Sequence, residues 1–131
     1  MARQTRLTNL AVCSQADALA QFLDGGRIEV FDGEQPEFAE LPVSITPIVT
    51  MKLGDPAFRP AVAGVIIANA IAPGVAVRTG KPTWARMSGP DGATIMDVSA
   101  GTSNAVMILP VAIIEKGITV SVDYSHTVVK G

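Results

Sequence analysis

The chain is poor in the groups from which reactive sites are built. Its 131 residues include one cysteine, Cys13, so no internal disulfide can close, and a reducing compartment is the simplest expectation. The single histidine, His126, lies far from Cys13 in sequence, which leaves a metal centre short of nitrogen and sulfur ligands. Aromatic residues make up only 5%, so the core must come from Val, Ile, Leu and Ala, and a sugar-stacking platform would rest on little more than Trp84 and Tyr124. Charged residues are 17% with a net charge of -2, which gives no electrostatic basis for binding nucleic acid. Internal repeats, low-complexity runs and linkers are absent as well. Residues 60–77 and 98–114 carry no charge and approach the length of a membrane span. Pro60, Gly64, Asn69, Pro73 and Gly74 interrupt the first, and Gly101, Ser103, Asn104 and Pro110 the second. Breakers so placed suit buried strands and turns better than a lipid-facing helix.

What the chain has instead is β patterning. From Ile118 to Val128 apolar and polar residues alternate: Ile118, Val120, Val122, Tyr124, His126 and Val128 face one way, and Thr119, Ser121, Asp123, Ser125 and Thr127 the other. A period of two predicts a long strand with one covered and one wet face. Further strands are expected over 27–32, with Ile28 and Val30 on one face, over 45–53, with Pro47 at an edge or bulge, and over 62–68, with both faces covered. Residues 83–87 should place Trp84 and Arg86 on one side, and Gly89-Pro90-Asp91-Gly92 should close a hairpin onto 94–98. Val106 to Leu109 follows, with a further short strand over 111–114, before Glu115-Lys116-Gly117 turns into the last strand.

Only the N-terminal part reads as helix. Thr8 or Asn9 can cap a segment running to about residue 24, with Val12, Ala16, Leu19 and Leu23 as its apolar stripe, Phe22 flanking it, and Asp24-Gly25-Gly26 as its stop. Leu10 falls on the polar side, where it can meet a partner. The expected fold is mainly β, a jelly-roll-like antiparallel β-sandwich with one N-terminal helix. It forms a single domain over 1–131: an extended arm at 1–7, the helix at 8–24 and the sandwich at 27–131. The opening Met1 to Arg6 is followed by no signal-type apolar core.

Candidate chemistry is thin. His126 beside valines and a tyrosine reads as a packing residue, and Cys13 has no basic neighbour in the helix to activate it. The run from Gly74 to Lys81 departs from a P-loop: five residues separate Gly74 from Gly80, and Pro82 stands where the magnesium-binding hydroxyl belongs. Glu29, Asp32, Glu34, Glu37 and Glu40 form an acidic cluster without calcium-loop spacing, expected to be an exposed loop. Arg78, Lys81 and Arg86 form a basic counterpart. The two patches suit repeated contact with copies of the chain or with a charged lattice, and equally suit plain solvation. No catalytic residue, cofactor or metal ligand is expected.

Several local signatures run together along the chain: Arg6-Leu7-Thr8-Asn9, Asp32-Gly33-Glu34-Gln35-Pro36, Gly54-Asp55-Pro56-Ala57-Phe58, Ala68-Asn69-Ala70-Ile71, Trp84-Ala85-Arg86, Asp91-Gly92 and Gly101-Thr102-Ser103. In these, and over nearly its whole length, the sequence resembles the jelly-roll cement (decoration) proteins of tailed bacteriophages, of the type found in a Bordetella phage. The resemblance implies a non-enzymatic virion protein on the outer surface of the capsid, made in the host cytoplasm. It implies binding to the major capsid protein and to copies of itself as a dimer or trimer, with no direct nucleic-acid or membrane contact. Exposure then selects Arg3, Arg6 and Leu10 at the arm and helix, and Glu34 and Glu37 in the acidic loop, as contact residues. The alternatives are a neck, tail or host-surface-binding virion component and, more remotely, a cupin-type metalloenzyme.

Overall fold

A computed structural model describes residues 8–127. The arm at 1–7, the tail from Val128 and the side chains of Asn9, Val12, Ser125, His126 and Thr127 lie outside what it describes. Helix α1 spans Asn9–Leu23. Nine strands follow: β1 (Arg27–Phe31), β2 (Val49–Lys52), β3 (Val65–Ile67), β4 (Gly74–Val75), β5 (Trp84–Ser88), β6 (Thr94–Gly101), β7 (Met107–Ile108), β8 (Thr119–Val120) and β9 (Ser125–Thr127). The protein is mainly β, with a curled mixed sheet and one short helix.

The helix begins where the capping residue predicts. Thr8 accepts the Ala11 N–H through its hydroxyl at 3.2 Å, satisfying one of the orphan donors of the first turn. Ala16, Ala20 and Leu23 are buried, while Leu10 and Phe22 remain outside. At the other end Gly25 takes φ +69°, and the Gly26 N–H returns to the Leu23 carbonyl at 2.9 Å. Asp17 and Asp24, off the apolar stripe of α1, do more than face water. Asp24 accepts the Ala57 N–H at 2.7 Å and Asp17 the Ala61 N–H at 2.8 Å, so the helix pins the irregular segment 57–61.

The main sheet runs β2-β1-β5-β6-β7. The β5–β6 hairpin closes through Gly89-Pro90-Asp91-Gly92, with Gly92 at φ +88° and the Gly89 N–H on the Ala93 carbonyl at 2.9 Å. Every ladder of this sheet is antiparallel except the last, because the link from β6 to β7 brings the chain back in the same direction. Beyond β2 the backbone continues to bond: Ala72 N–H donates to Lys52 O and Val77 N–H to Ile48 O, both at 2.9 Å. These bonds draw the β4–β8 pair against the sheet and curl it around one core. The core is built from Ile28, Val30, Met51, Ala85, Met87 and Met107 with helix residues Ala16 and Leu23.

Four expectations change, the first being that the 45–53 strand shortens to β2 and leaves Pro47 before it. The long last strand is broken into β8 and β9, because its first part pairs with β4 and its last part with β3. Burial alternation survives across the break: Val120, Val122 and Tyr124 are buried, and Thr119, Ser121 and Asp123 exposed. An extended backbone keeps the two-residue period even where no neighbouring edge supplies a ladder. The 62–68 strand shortens to β3 and is covered on one face only, leaving Val62 and Ile67 exposed. Residues 111–113 form no strand, and Ile114 contributes one isolated bridge to Gly80. No helix among the described residues is long and apolar enough to cross a membrane.

Gly26 sits where a Cβ would lie 2.0 Å from the Ser88 carbonyl oxygen, a backbone atom that cannot swing aside. Gly26→Ala is therefore expected to lower stability by about 2–3 kcal/mol through forced separation of the helix terminus and β5. Its midpoint in urea should fall well below that of a Gly101→Ala variant, whose Cβ meets only ordinary van der Waals contacts at 3.7 Å, although both exchange glycine for alanine.

Candidate interaction surface

The two faces of the main sheet have different chemistry. Ile28, Val30, Ala85 and Met87 point into the core. The alternate residues of the same strands, Phe31, Glu29, Trp84 and Arg86, point the other way, and the register sets Phe31 opposite Trp84 and Glu29 opposite Arg86. Phe31 and Trp84 stack with ring centroids 4.5 Å apart and planes at 16°. Arg86 lies 5.6 Å from the Trp84 ring centre and forms a two-pronged ion pair with Asp97 of β6, at 2.8 and 3.0 Å. Only 7% of the Arg86 side chain and 4% of the Asp97 side chain meet solvent. The Asp97 hydrogen bond is the main cause of the upward shift of the Arg86 pKa.

This outer face is roofed by the connection between β1 and β2, residues 32–48. Four side chains hold its backbone by donating to carbonyl oxygens that no ladder satisfies. Trp84 Nε1 donates to Asp32 O at 3.2 Å, Thr83 Oγ1 to Gly33 O at 2.6 Å, Arg86 Nη1 to Leu41 O at 2.8 Å, and Arg78 Nε to Thr46 O at 2.8 Å. Arg78 also grips Asp32 with two hydrogen bonds, at 2.8 and 2.7 Å. That bond holds the Asp32 carboxyl below the usual carboxylate range and raises the Arg78 pKa. A long irregular connection whose ends meet at an antiparallel pair is thereby tied down along its length. It displays Phe38, Leu41 and Ile45, at 58%, 42% and 47% exposure, interleaved with exposed Glu34, Glu37 and Glu40.

The contact residues expected from sequence are thus distributed. Glu34 and Glu37 are exposed on this roof. Leu10 is 79% exposed on α1, which packs on the core side of the sheet, so it does not join them. Arg3 and Arg6 lie outside the described residues. The basic patch needs correction: Arg86 is buried against Asp97, Arg78 is paired with the partly exposed Asp32, and only Lys81 stands exposed. Sequence reasoning missed the apolar members Phe38, Leu41 and Ile45, which a reading of the loop by its charges alone passes over. The Arg86–Asp97 pair was out of reach, because a hairpin closed by Gly89–Gly92 and continued in plain register sets Met96 opposite Arg86, and only the irregularity at Met87/Ser88 brings Asp97 there.

Trp84 is 1% and Tyr124 4% exposed, so neither can serve as a glycan platform. Cys13 is half-buried, its Sγ accepting the Gly64 N–H at 3.4 Å. Among the described residues no group of three or more His, Cys, Asp or Glu side chains is placed to hold a metal ion. Comparison with protein-family models, curated proteins and solved structures finds no match to this chain.

Two measurements check this arrangement. Asp97→Asn should cost about 3 kcal/mol or more, because it leaves the Arg86 charge buried without its counter-ion. It should also increase proteolytic cleavage in 34–46 through the loosened Leu41 anchor. Asp32 has its folded pKa below the ordinary 3.8, so its pair adds stability above that pH and loses it as pH falls through the folded value. Asp32→Asn should accordingly be less stable than wild type at neutral pH, and the difference should vanish in acid.

Proposed function

We propose that this protein is a non-enzymatic virion component that binds the outside of a tailed-phage capsid and cements neighbouring major capsid protein subunits. The curled β domain is then a variant of the jelly-roll, with its parallel β6–β7 ladder as a departure. The observation that carries the reading is the tethered roof: Phe38, Leu41 and Ile45 held at the surface among three carboxylates by anchors from β5 and its flanks. Apolar side chains on a loop already fixed by the scaffold bind at lower ordering cost than the same groups on a mobile one. Glu34 and Glu37 add a polar rim that favours a basic or donor-rich partner and opposes like-charged ones.

A shell lattice presents the same partner surface many times. Contacts of modest area then suffice, because a bound copy that touches two subunits makes its second contact at high effective concentration. Burial of Trp84 and Tyr124 supports a surface-gripping module over a glycan-stacking adhesin built on those two rings.

Quantitative gels of purified virions should find the protein in hundreds of copies per head, and heads carrying it should rupture at a higher temperature than heads stripped of it. Phe38→Ala, at an exposed position that leaves the fold intact, should weaken head binding about tenfold or more. Equal rupture temperatures with and without the protein would remove the cementing role.

A further inference from the structure

The two ends of the main sheet are finished differently. The outer side of β2 is covered by hydrogen bonds from Ala72 and Val77. No strand among the described residues pairs with the outer side of β7. The Leu109 N–H turns inward to the Gly101 carbonyl at 2.8 Å, so in this parallel ladder the N–H and C=O of Ile108 point away from the sheet. Met107 and Leu109 are buried, whereas Val106 and Ile108 are 53% and 48% exposed, and Val111 and Ile113 just beyond are exposed too. Beside this edge runs an open groove of about 580 Å³, lined by Ile108, Leu109 and Pro110 together with Ile71, Val122 and the charged Asp123. Residues 98–114 contain no charge.

Soluble proteins commonly guard an open edge with a lysine, an inward charge or a bulge. Here no such guard is present on β7. We propose that β7 is a self-association edge, at which two copies pair antiparallel about a twofold axis with Ile108 opposite Ile108 of the second copy. Three features select a second copy as the occupant. A twofold antiparallel pairing satisfies both outward backbone groups of Ile108 at once, N–H to C=O in each direction. The edge itself, within the uncharged segment 98–114, meets no like-charge repulsion from its own image. The exposed apolar side chains supply on the order of 400 Å² per copy, about half of the roughly 800 Å² per partner in a standard stable interface. The dimer is therefore weak and concentration-dependent. It forms by the chain itself and does not depend on the capsid reading.

Sedimentation velocity on the full chain, from low micromolar to millimolar, tests it. Wild type is expected to pass from monomer to dimer over this range. Ile108→Lys, which sets a charge on the edge, is expected to raise the dimer dissociation constant at least about tenfold with an unchanged circular dichroism spectrum. Val62→Lys, at another exposed apolar position, is expected to dimerise like wild type. Amide exchange at Ile108 should slow as the dimer forms. A protein that stays monomeric throughout overturns the proposal, as does an Ile108→Lys variant that dimerises normally. A slow Ile108 amide in dilute monomer also overturns it, since the arm or tail of the same chain then covers the edge. Head binding by Ile108→Lys separates the two readings: loss of the dimer with retained head binding leaves the roof surface standing on its own.

Discussion

The buried pairing of Arg86 with Asp97 governs the outer half of this molecule. A guanidinium held at the surface of the Trp84 ring and bonded twice to a carboxylate cannot leave its place without stranding a charge in a poorly solvated site. Its remaining nitrogen reaches the Leu41 carbonyl, so the position of the β1–β2 connection follows from an electrostatic constraint inside the sheet. Arg78 repeats the device nearer to solvent, joining Asp32 at the start of the connection to Thr46 near its end. Arginine suits both sites because a planar fork can bind a carboxylate in two places and still donate elsewhere, which an ammonium cannot do with the same geometry.

The sheet consequently has a layer on each side. One is the aliphatic core shared with α1, and the other a thinner layer of stacked rings and ion pairs under a loop. All five residues of β5 are buried for this reason, even though its sequence, Trp-Ala-Arg-Met-Ser, alternates polar-tipped residues with apolar ones. A strand half-exposed by pattern becomes central by topology, with β1 and β6 on its flanks and a layer over each face.

Much of this was legible in the residues. Thr8 and the Asp24-Gly25-Gly26 stop bounded the helix, Ile28 and Val30 marked the buried side of β1, and Gly89 to Gly92 announced the hairpin. What the sequence concealed was non-local. Whether Ile118 to Val128 meets one neighbour or two depends on where β3 and β4 lie, which no feature of that segment records. Whether an arginine faces water or a carboxylate depends on register, so Arg78 and Arg86 looked like a free basic patch until Asp32 and Asp97 were set against them. The acidic loop was recognised by its charges, while its apolar members carried no periodic signal. The expected contacts at Glu34 and Glu37 therefore lacked their closest companions.

The exchange of partners between β8 and β9 also has a bearing on how the chain reaches this state. Val65 with Thr127, and Gly74 with Val120, are neighbours across most of the polypeptide's second half. Contacts of such high contact order require large loops to close before they return any stabilisation, so they form late and slowly. Until they do, β3 and β4 lack their partner strands. The β5–β6 hairpin, by contrast, joins residues a few positions apart and carries the Arg86–Asp97 pair within itself. The early, local unit thus brings with it the anchor for the roof, and the last segment to be threaded closes the far side.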